Sequence, residues 1–263
     1  MDDTINKHGN PPFRVVLIHG GPGASGELTP LATELYKYIS ILEPFQTKSS
    51  IEDLISELDD QISHNAETPV ILVGHSWGAW LSFLYASRFN EKVKKLILIS
   101  SGPFDPGYAV DIINARIQRL SENNRKNLFR WIERLNEPDE KNKNELFREV
   151  GELIYMADSF NPIPRENPDI KYDYDMYLRV WNEAQEWRKS GELLNAASSI
   201  NCPVVAIHGD YDPHPADGVK EPLAARIKEF KFHLIRNCGH HPWEEKYTRD
   251  EFLSILTDYI VNP

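Results

Sequence analysis

Short runs of nearly continuous apolar residues punctuate the chain: Val15-Val16-Leu17-Ile18, Val70-Ile71-Leu72-Val73, Leu96-Ile97-Leu98-Ile99 and Val204-Val205-Ala206-Ile207. Strands buried on both faces read this way, because neither face leaves a polar position every second residue. Amphipathic segments lie between most of them, notably 51–62 and Trp77–Arg88, long enough for the crossover helix that parallel neighbours require. Two mixed segments, 38–42 and Phe230–Ile235, predict further strands, the second at an edge. The pattern predicts an α/β fold with a mainly parallel sheet of about six strands.

Between Pro103 and about Ser199 this rhythm stops. The segment 103–199 shows helical periodicity with no convincing strand. Asn136-Glu137-Pro138-Asp139, Asn161-Pro162-Ile163-Pro164 and Asn167-Pro168-Asp169 divide it into expected helices near 108–122, 125–135, 140–158 and 172–189. The domain plan that follows is a core made of 1–102 and 200–263, interrupted by a helical cap over 103–199. A chain of 263 residues suits one core with one large insertion.

Composition narrows the partners. The 29 basic and 40 acidic side chains leave a formal charge of -11, so the overall field disfavours nucleic acid. No apolar run approaches the length of a membrane helix, and the first residues lack the basic start and apolar core of a secretory segment. The two cysteines, Cys202 and Cys238, fall at opposite ends of expected parallel strands, too far apart to bridge, and are expected as free thiols. A cytoplasmic protein with no membrane or nucleic-acid partner is expected; the oligomeric state is left open.

The candidate chemistry directly follows the apolar runs, where the loops of a parallel sheet open at its carboxyl end. Gly74-His75-Ser76-Trp77-Gly78 stands between a strand and a helix. A nucleophile on so sharp a turn needs glycine on both sides, and the turn presents Ser76 Oγ at a helix N-terminus that favours developing negative charge. His19-Gly20-Gly21-Pro22-Gly23 follows the first run, and its amides can approach a reacting carbonyl. The backbone N–H groups of Gly21 and Trp77 are the natural oxyanion-hole pair. His208-Gly209-Asp210-Tyr211-Asp212 then supplies two carboxylates, and Gly239-His240-His241 two imidazoles. The order Ser, Asp, His suits a hydrolytic triad. No close-spaced ligand pattern for zinc and no phosphate-binding glycine loop is present, so no metal and no cofactor is expected.

Together these motifs resemble the α/β-hydrolase superfamily, and His19-Gly20-Gly21-Pro22-Gly23 with Gly74-His75-Ser76-Trp77-Gly78 resembles its proline iminopeptidase branch. The resemblance covers most of the chain. It implies Asp212, three residues after Gly209, as the triad acid, and His240, directly after Gly239, as the base. Asp210 and His241 are then neighbours with other tasks. The stretch ahead of Val15 leaves too little room for the two leading strands common in the family, so a shortened core is expected. The segment 41–50 also lacks the aspartate and glycines of the loop that the iminopeptidases carry near their site.

The expectation is a serine hydrolase acting by acyl transfer on a small ester or amide, with an aminopeptidase of proline iminopeptidase type among the options. Its partner would be a small molecule or short peptide. A ligand-binding or receptor-like protein on the same scaffold is the alternative. The cap aromatics Tyr177 and Trp181 share a helical face that suits a pocket roof. Glu149, Glu152, Asp158, Glu183 and Glu186 are the cap acids available to an amine.

Overall fold

A computed structural model describes residues 4–164 and 170–262. A seven-stranded sheet runs through it, built from β1 (Ile5–His8), β2 (Val15–Ile18), β4 (Ile41–Pro44), β5 (Val70–His75), β6 (Val93–Ile99), β8 (Val204–Gly209) and β9 (Phe230–Ile235). Their spatial order is β1-β4-β2-β5-β6-β8-β9, with β1 antiparallel to β4 and all other neighbours parallel.

The apolar runs are explained by what covers each face. On one face Val16, Ile18, Leu72, Leu96, Leu98, Val204 and Ala206 pack against α2 (Ile51–Asn65) and α3 (Trp77–Arg88). On the other, Val15, Leu17, Ile71, Val73, Ile97, Ile99, Val205 and Ile207 meet α1 (Thr29–Leu35) and α10 (Arg249–Val261). Alternate residues of each strand thus enter opposite cores, and with both faces dry no polar alternation survives. Each fully buried Leu or Ile contributes about 1.5–3 kcal/mol, so these central strands dominate the sheet's stability. The edge strands β1 and β9 are half-exposed and correspondingly mixed in sequence.

Three expectations are corrected. The sheet has seven strands, because Ile5–His8 supplies one leading strand held through its pairing with β4. The strand expected over 38–42 lies at Ile41–Pro44, after the exposed Tyr38. The cap is also not wholly helical. A two-residue strand β7 (Lys171–Tyr172) pairs antiparallel with β3 (Ala24–Ser25), the end of the glycine loop.

The cap helices are α4 (Ile112–Arg119), α5 (Glu122–Leu135), α6 (Lys143–Asp158), α7 (Tyr174–Ser190) and the short α8 (Glu192–Asn195). A short α9 (Asp217–Ala224) then follows β8. The Asn167-Pro168-Asp169 break lies outside the described residues. Asp173 caps α7 by accepting the Met176 N–H at 2.9 Å, and Gly191 ends it at φ 82°. Cap and core share one interior: Val180 and Ala184 of α7 belong to the same cluster as α3, and the Trp181 ring stacks on Trp80 at 5.8 Å. Among the described residues no helix is long and apolar enough to cross a membrane. Cys202 and Cys238 are free and buried, and burial pushes their thiols up to about 11 and about 12, which keeps both protonated.

Candidate active site

Ser76 sits at the turn from β5 into α3 with φ 53° and ψ -116°, a backbone state that L-residues avoid unless their surroundings impose it. Its N–H donates to Ile99 O at 2.9 Å, which pins the turn to β6. The flanking glycines are required by close approach. A Cβ on Gly74 would lie 2.2 Å from Gly78 O, and one on Gly78 would lie 2.3 Å from Ile18 O.

The loops after β2, β8 and β9 converge on this turn. Ser76, Trp77, Gly21, His214, His240 and His241 all line one cavity of about 410 Å³ beneath the cap. Among the described residues, the backbone N–H groups of Gly21 and Trp77 have no acceptor within the protein. Gln46 braces this end of the site: its backbone N–H donates to His19 Nε2 (3.2 Å), its side-chain amide donates to His19 O (3.1 Å), and its side-chain oxygen accepts from Trp77 Nε1 (2.8 Å).

His240 Nδ1 donates to Asp212 Oδ2 at 2.7 Å, which leaves Nε2 as the proton-accepting nitrogen. His240 is located by its backbone as well, since its N–H donates to Asp158 O of the cap at 2.9 Å. Burial would raise the Asp212 carboxyl, yet the imidazoles of His240, His214 and His208 around it hold it well below the usual carboxylate range. Burial likewise opposes charge on His240, but Asp212 outweighs it and holds that imidazole above its ordinary value.

Asp210, the other carboxylate of its loop, accepts the Asn237 N–H at 2.7 Å and ties the loop to the turn after β9. His241 faces away from Asp212 towards Glu27, with Nε2 3.3 Å from Glu27 Oε1.

Two functional neighbours escape a reading of the motifs. The first is His214, whose Nδ1 donates to Asp212 Oδ1 at 2.8 Å and whose ring centroid lies 4.7 Å from that of His240. Burial depresses it to about 4 against the pull of Asp212, so it is neutral. The spacing Asp212-Pro213-His214 was its only signal. The second is Glu27, which accepts the Gly20 N–H at 2.6 Å and lies 3.0 Å from His75 Nδ1. Burial would raise its carboxyl, but His75 and His241 hold it well below the usual range. His75 in turn donates from Nε2 to His240 O at 2.9 Å, so this buried cluster underpins the loop that carries His240.

Among the described residues, two sets of side chains bring metal-type donors within 4.8 Å of one another: Glu27 with His75 and His241, and Asp212 with His214 and His240. In both, carboxylate oxygens face ring nitrogens at separations of 2.7 to 3.3 Å, which hydrogen bonding and charge pairing account for.

Among the described residues, the cap supplies the cavity with an aromatic wall, including Phe147, Tyr172, Tyr174, Tyr177 and Trp181, and one ion pair. Arg116 of α4 donates from Nε to Asp158 Oδ1 (2.8 Å) and from Nη2 to Asp158 Oδ2 (2.6 Å) at the end of α6. Of the cap acids named from sequence, only Asp158 lines the cavity. Glu183 accepts the Ile51 N–H, while Glu149 and Glu186 pair with Arg148 and Lys189.

Residues 14–247 match the α/β hydrolase fold family. The chain is 26% identical to a proline iminopeptidase of Saccharolobus solfataricus, over 94% of this chain and 84% of that one. It is 23% identical to a proline iminopeptidase of Thermoplasma volcanium, over 97% and 91%. Among solved structures, VinJ superposes with a TM-score of 0.68 at 15% identity, covering 100% of this chain and 96% of that one. A monoacylglycerol lipase of Paleococcus ferrophilus gives 0.62 at 17% identity, covering 100% and 99%.

Proposed function

Because the chain belongs to the α/β-hydrolase fold family, we propose that it is a serine hydrolase working by acyl transfer on a small ester or amide. The observation that carries this reading is the 2.7 Å bond from His240 to the buried Asp212 in the cavity that also holds Ser76 on its constrained turn. Ser76 Oγ attacks the substrate carbonyl while His240 Nε2 takes its proton. Asp212 fixes the tautomer and stabilises the imidazolium. The oxyanion enters the amides of Gly21 and Trp77, each such donor supplying about 3 kcal/mol in the transition state. His240 then returns the proton to the leaving alcohol or amine. Water, deprotonated by the same imidazole, releases the acid from the acyl-enzyme and restores Ser76.

The substrate is a small molecule or short peptide with an uncharged acyl part. An aminopeptidase must give the substrate's ammonium group a carboxylate of its own. Among the described residues, Asp158 and Glu27 are the acids lining the cavity, and both are committed, one to Arg116 and the other to Gly20, His75 and His241. Neutral acyl esters and amides therefore rank above N-terminal amino-acid substrates.

A fluorophosphonate probe tests the mechanism. The native protein should be labelled and Ser76→Ala should not; equal labelling of both, or none of either, removes the serine-hydrolase reading and leaves a binding protein. Proline and alanine naphthylamides against acyl esters of matched size then test the substrate ranking.

A further inference from the structure

The cavity roof holds a cation that the triad does not use. Arg116 presents five N–H donors, and two of its nitrogens, Nε and Nη2, are spent on Asp158. Among the described residues Nη1 has no hydrogen-bond acceptor, and the side chain keeps 15% of its surface exposed where it lines the cavity. Both residues line the cavity, but the Asp158 side chain is only 1% exposed, so the guanidinium is the more open member of the pair. Ile113, Ile154 and Tyr177 line the same cavity and offer an arriving ligand no second cation.

An ion pair in such a place needs a purpose beyond stability, since a buried pair often contributes no more than the apolar residues that could replace it. Its position is fixed from several sides. Arg119, one turn further along α4, donates to Ala157 O at 3.1 Å, so α4 sets two cations on the carbonyl end of α6. The Asp158 carbonyl then holds the His240 N–H. The guanidinium is therefore held at a fixed place relative to the base.

We infer that Arg116 is a specificity-determining residue, donating its free N–H groups to an acceptor oxygen carried on the acyl chain away from the scissile carbonyl. This inference rests on the serine-hydrolase reading and narrows its substrate class to oxygen-bearing acyl groups, such as oxo-acyl esters. The logic is one of desolvation. A plain alkyl chain filling the cavity strips water from the guanidinium and returns nothing, whereas an oxo group restores the bond. The acceptor is neutral, because a carboxylate would also face Asp158.

The test uses ethyl esters of straight-chain acids, each with an oxo group at one of the positions from carbon 4 to carbon 7, against the plain ester of equal length. Ethanol release gives kcat/KM. At least one oxo ester should exceed its plain partner by about tenfold or more in the native protein. That ratio should fall to about one in Arg116→Met and in the double variant Arg116→Met/Asp158→Leu, which leaves no unpaired buried carboxylate. A native ratio near one across the series, or a ratio unchanged in both variants, overturns the assignment. Fluorophosphonate labelling of each preparation reports separately on fold and nucleophile. Should the native protein fail to label, the hydrolase reading has failed, and the same esters titrated against Ser76→Ala, read by the fluorescence of Trp77 and Trp181, still decide whether Arg116 selects the oxo group.

Discussion

His240 and His214 share a single carboxylate, each imidazole donating from Nδ1 to its own oxygen of Asp212. The His214 bond draws charge from the acid that raises His240. Replacing His214 with Leu should therefore shift the acid limb of the kcat/KM profile upward by about one unit, the equivalent of one hydrogen bond to a charged group. Asp212→Asn should act in the opposite direction, moving the limb below 6.5 and slowing the enzyme by about 10³–10⁴-fold. An acid limb that stays put in His214→Leu would show that the second imidazole merely fills space.

The buried imidazoles also set the acid stability. His214 and His241 are depressed by burial to about 4 and about 3, while in the unfolded chain both titrate near the ordinary 6.5. Between those limits the unfolded state binds more protons, so stability falls as the pH falls, by up to about 2.7 kcal/mol per pH unit for two protons. His240 runs the other way: raised in the fold, it adds stability below 6.5 that is lost as the pH climbs through its folded value. Urea midpoints at pH 7 and pH 5 should drop in the native protein and drop less in His241→Leu. Equal midpoints at the two pH values would contradict this assignment of protons.

Glu27 should prove structural and catalytic at once. Glu27→Ala removes a carboxylate that holds the Gly20 N–H and two imidazoles, and the loss should be about 3 kcal/mol in denaturant unfolding. Because His75 donates to the carbonyl of His240, the rate of fluorophosphonate labelling should fall as well. A variant of native stability and native labelling rate would remove Glu27 from the account.

Gly78→Ala addresses the elbow itself. The added methyl would meet Ile18 O at 2.3 Å and His19 O at 2.4 Å, both backbone atoms of the neighbouring strand and loop that cannot swing aside. The expected cost exceeds about 3 kcal/mol, seen as insoluble or unlabelled protein. Gly107→Ala makes a fair control, since its methyl would meet only the Asp105 side chain, at 3.1 Å.

What could be read from the residues follows from how local the determinants are. Ser76 and its glycines lie in one turn between an apolar run and a helix, so strand, bend and proposed nucleophile were visible together. The buried strands declared themselves because both their faces are dry. Ile5–His8 did not, since an edge strand with half-exposed residues and a mixed sequence looks like any polar lead-in. Glu27 was invisible for another reason: its role arises from contacts between loops, with residues as distant as His241, and no spacing along the chain encodes such a meeting. His214 had only its place two residues after Asp212, a spacing too common to single it out. The same holds for Asp158, one of the five cap acids named from sequence, with nothing in its sequence neighbourhood to mark it as the one that Arg116 would hold.

The small pairing of β3 with β7 has a consequence for what kind of object the cap is. Gly23, at φ 74°, offers its carbonyl to the Asp173 N–H at 2.9 Å, and a Cβ there would strike Asp173 O at 2.2 Å. The loop that carries the Gly21 amide is thus stitched to the start of α7, and the base is held by the end of α6. Neither half of the molecule owns the whole of the proposed reaction centre. Excising residues 103–199 would not leave a smaller version of the same site with a more open mouth; it would cut the guy-ropes of the Gly21 loop and of His240 together. In engineering terms, the cap cannot be swapped as a module unless its replacement reproduces both of those stitches.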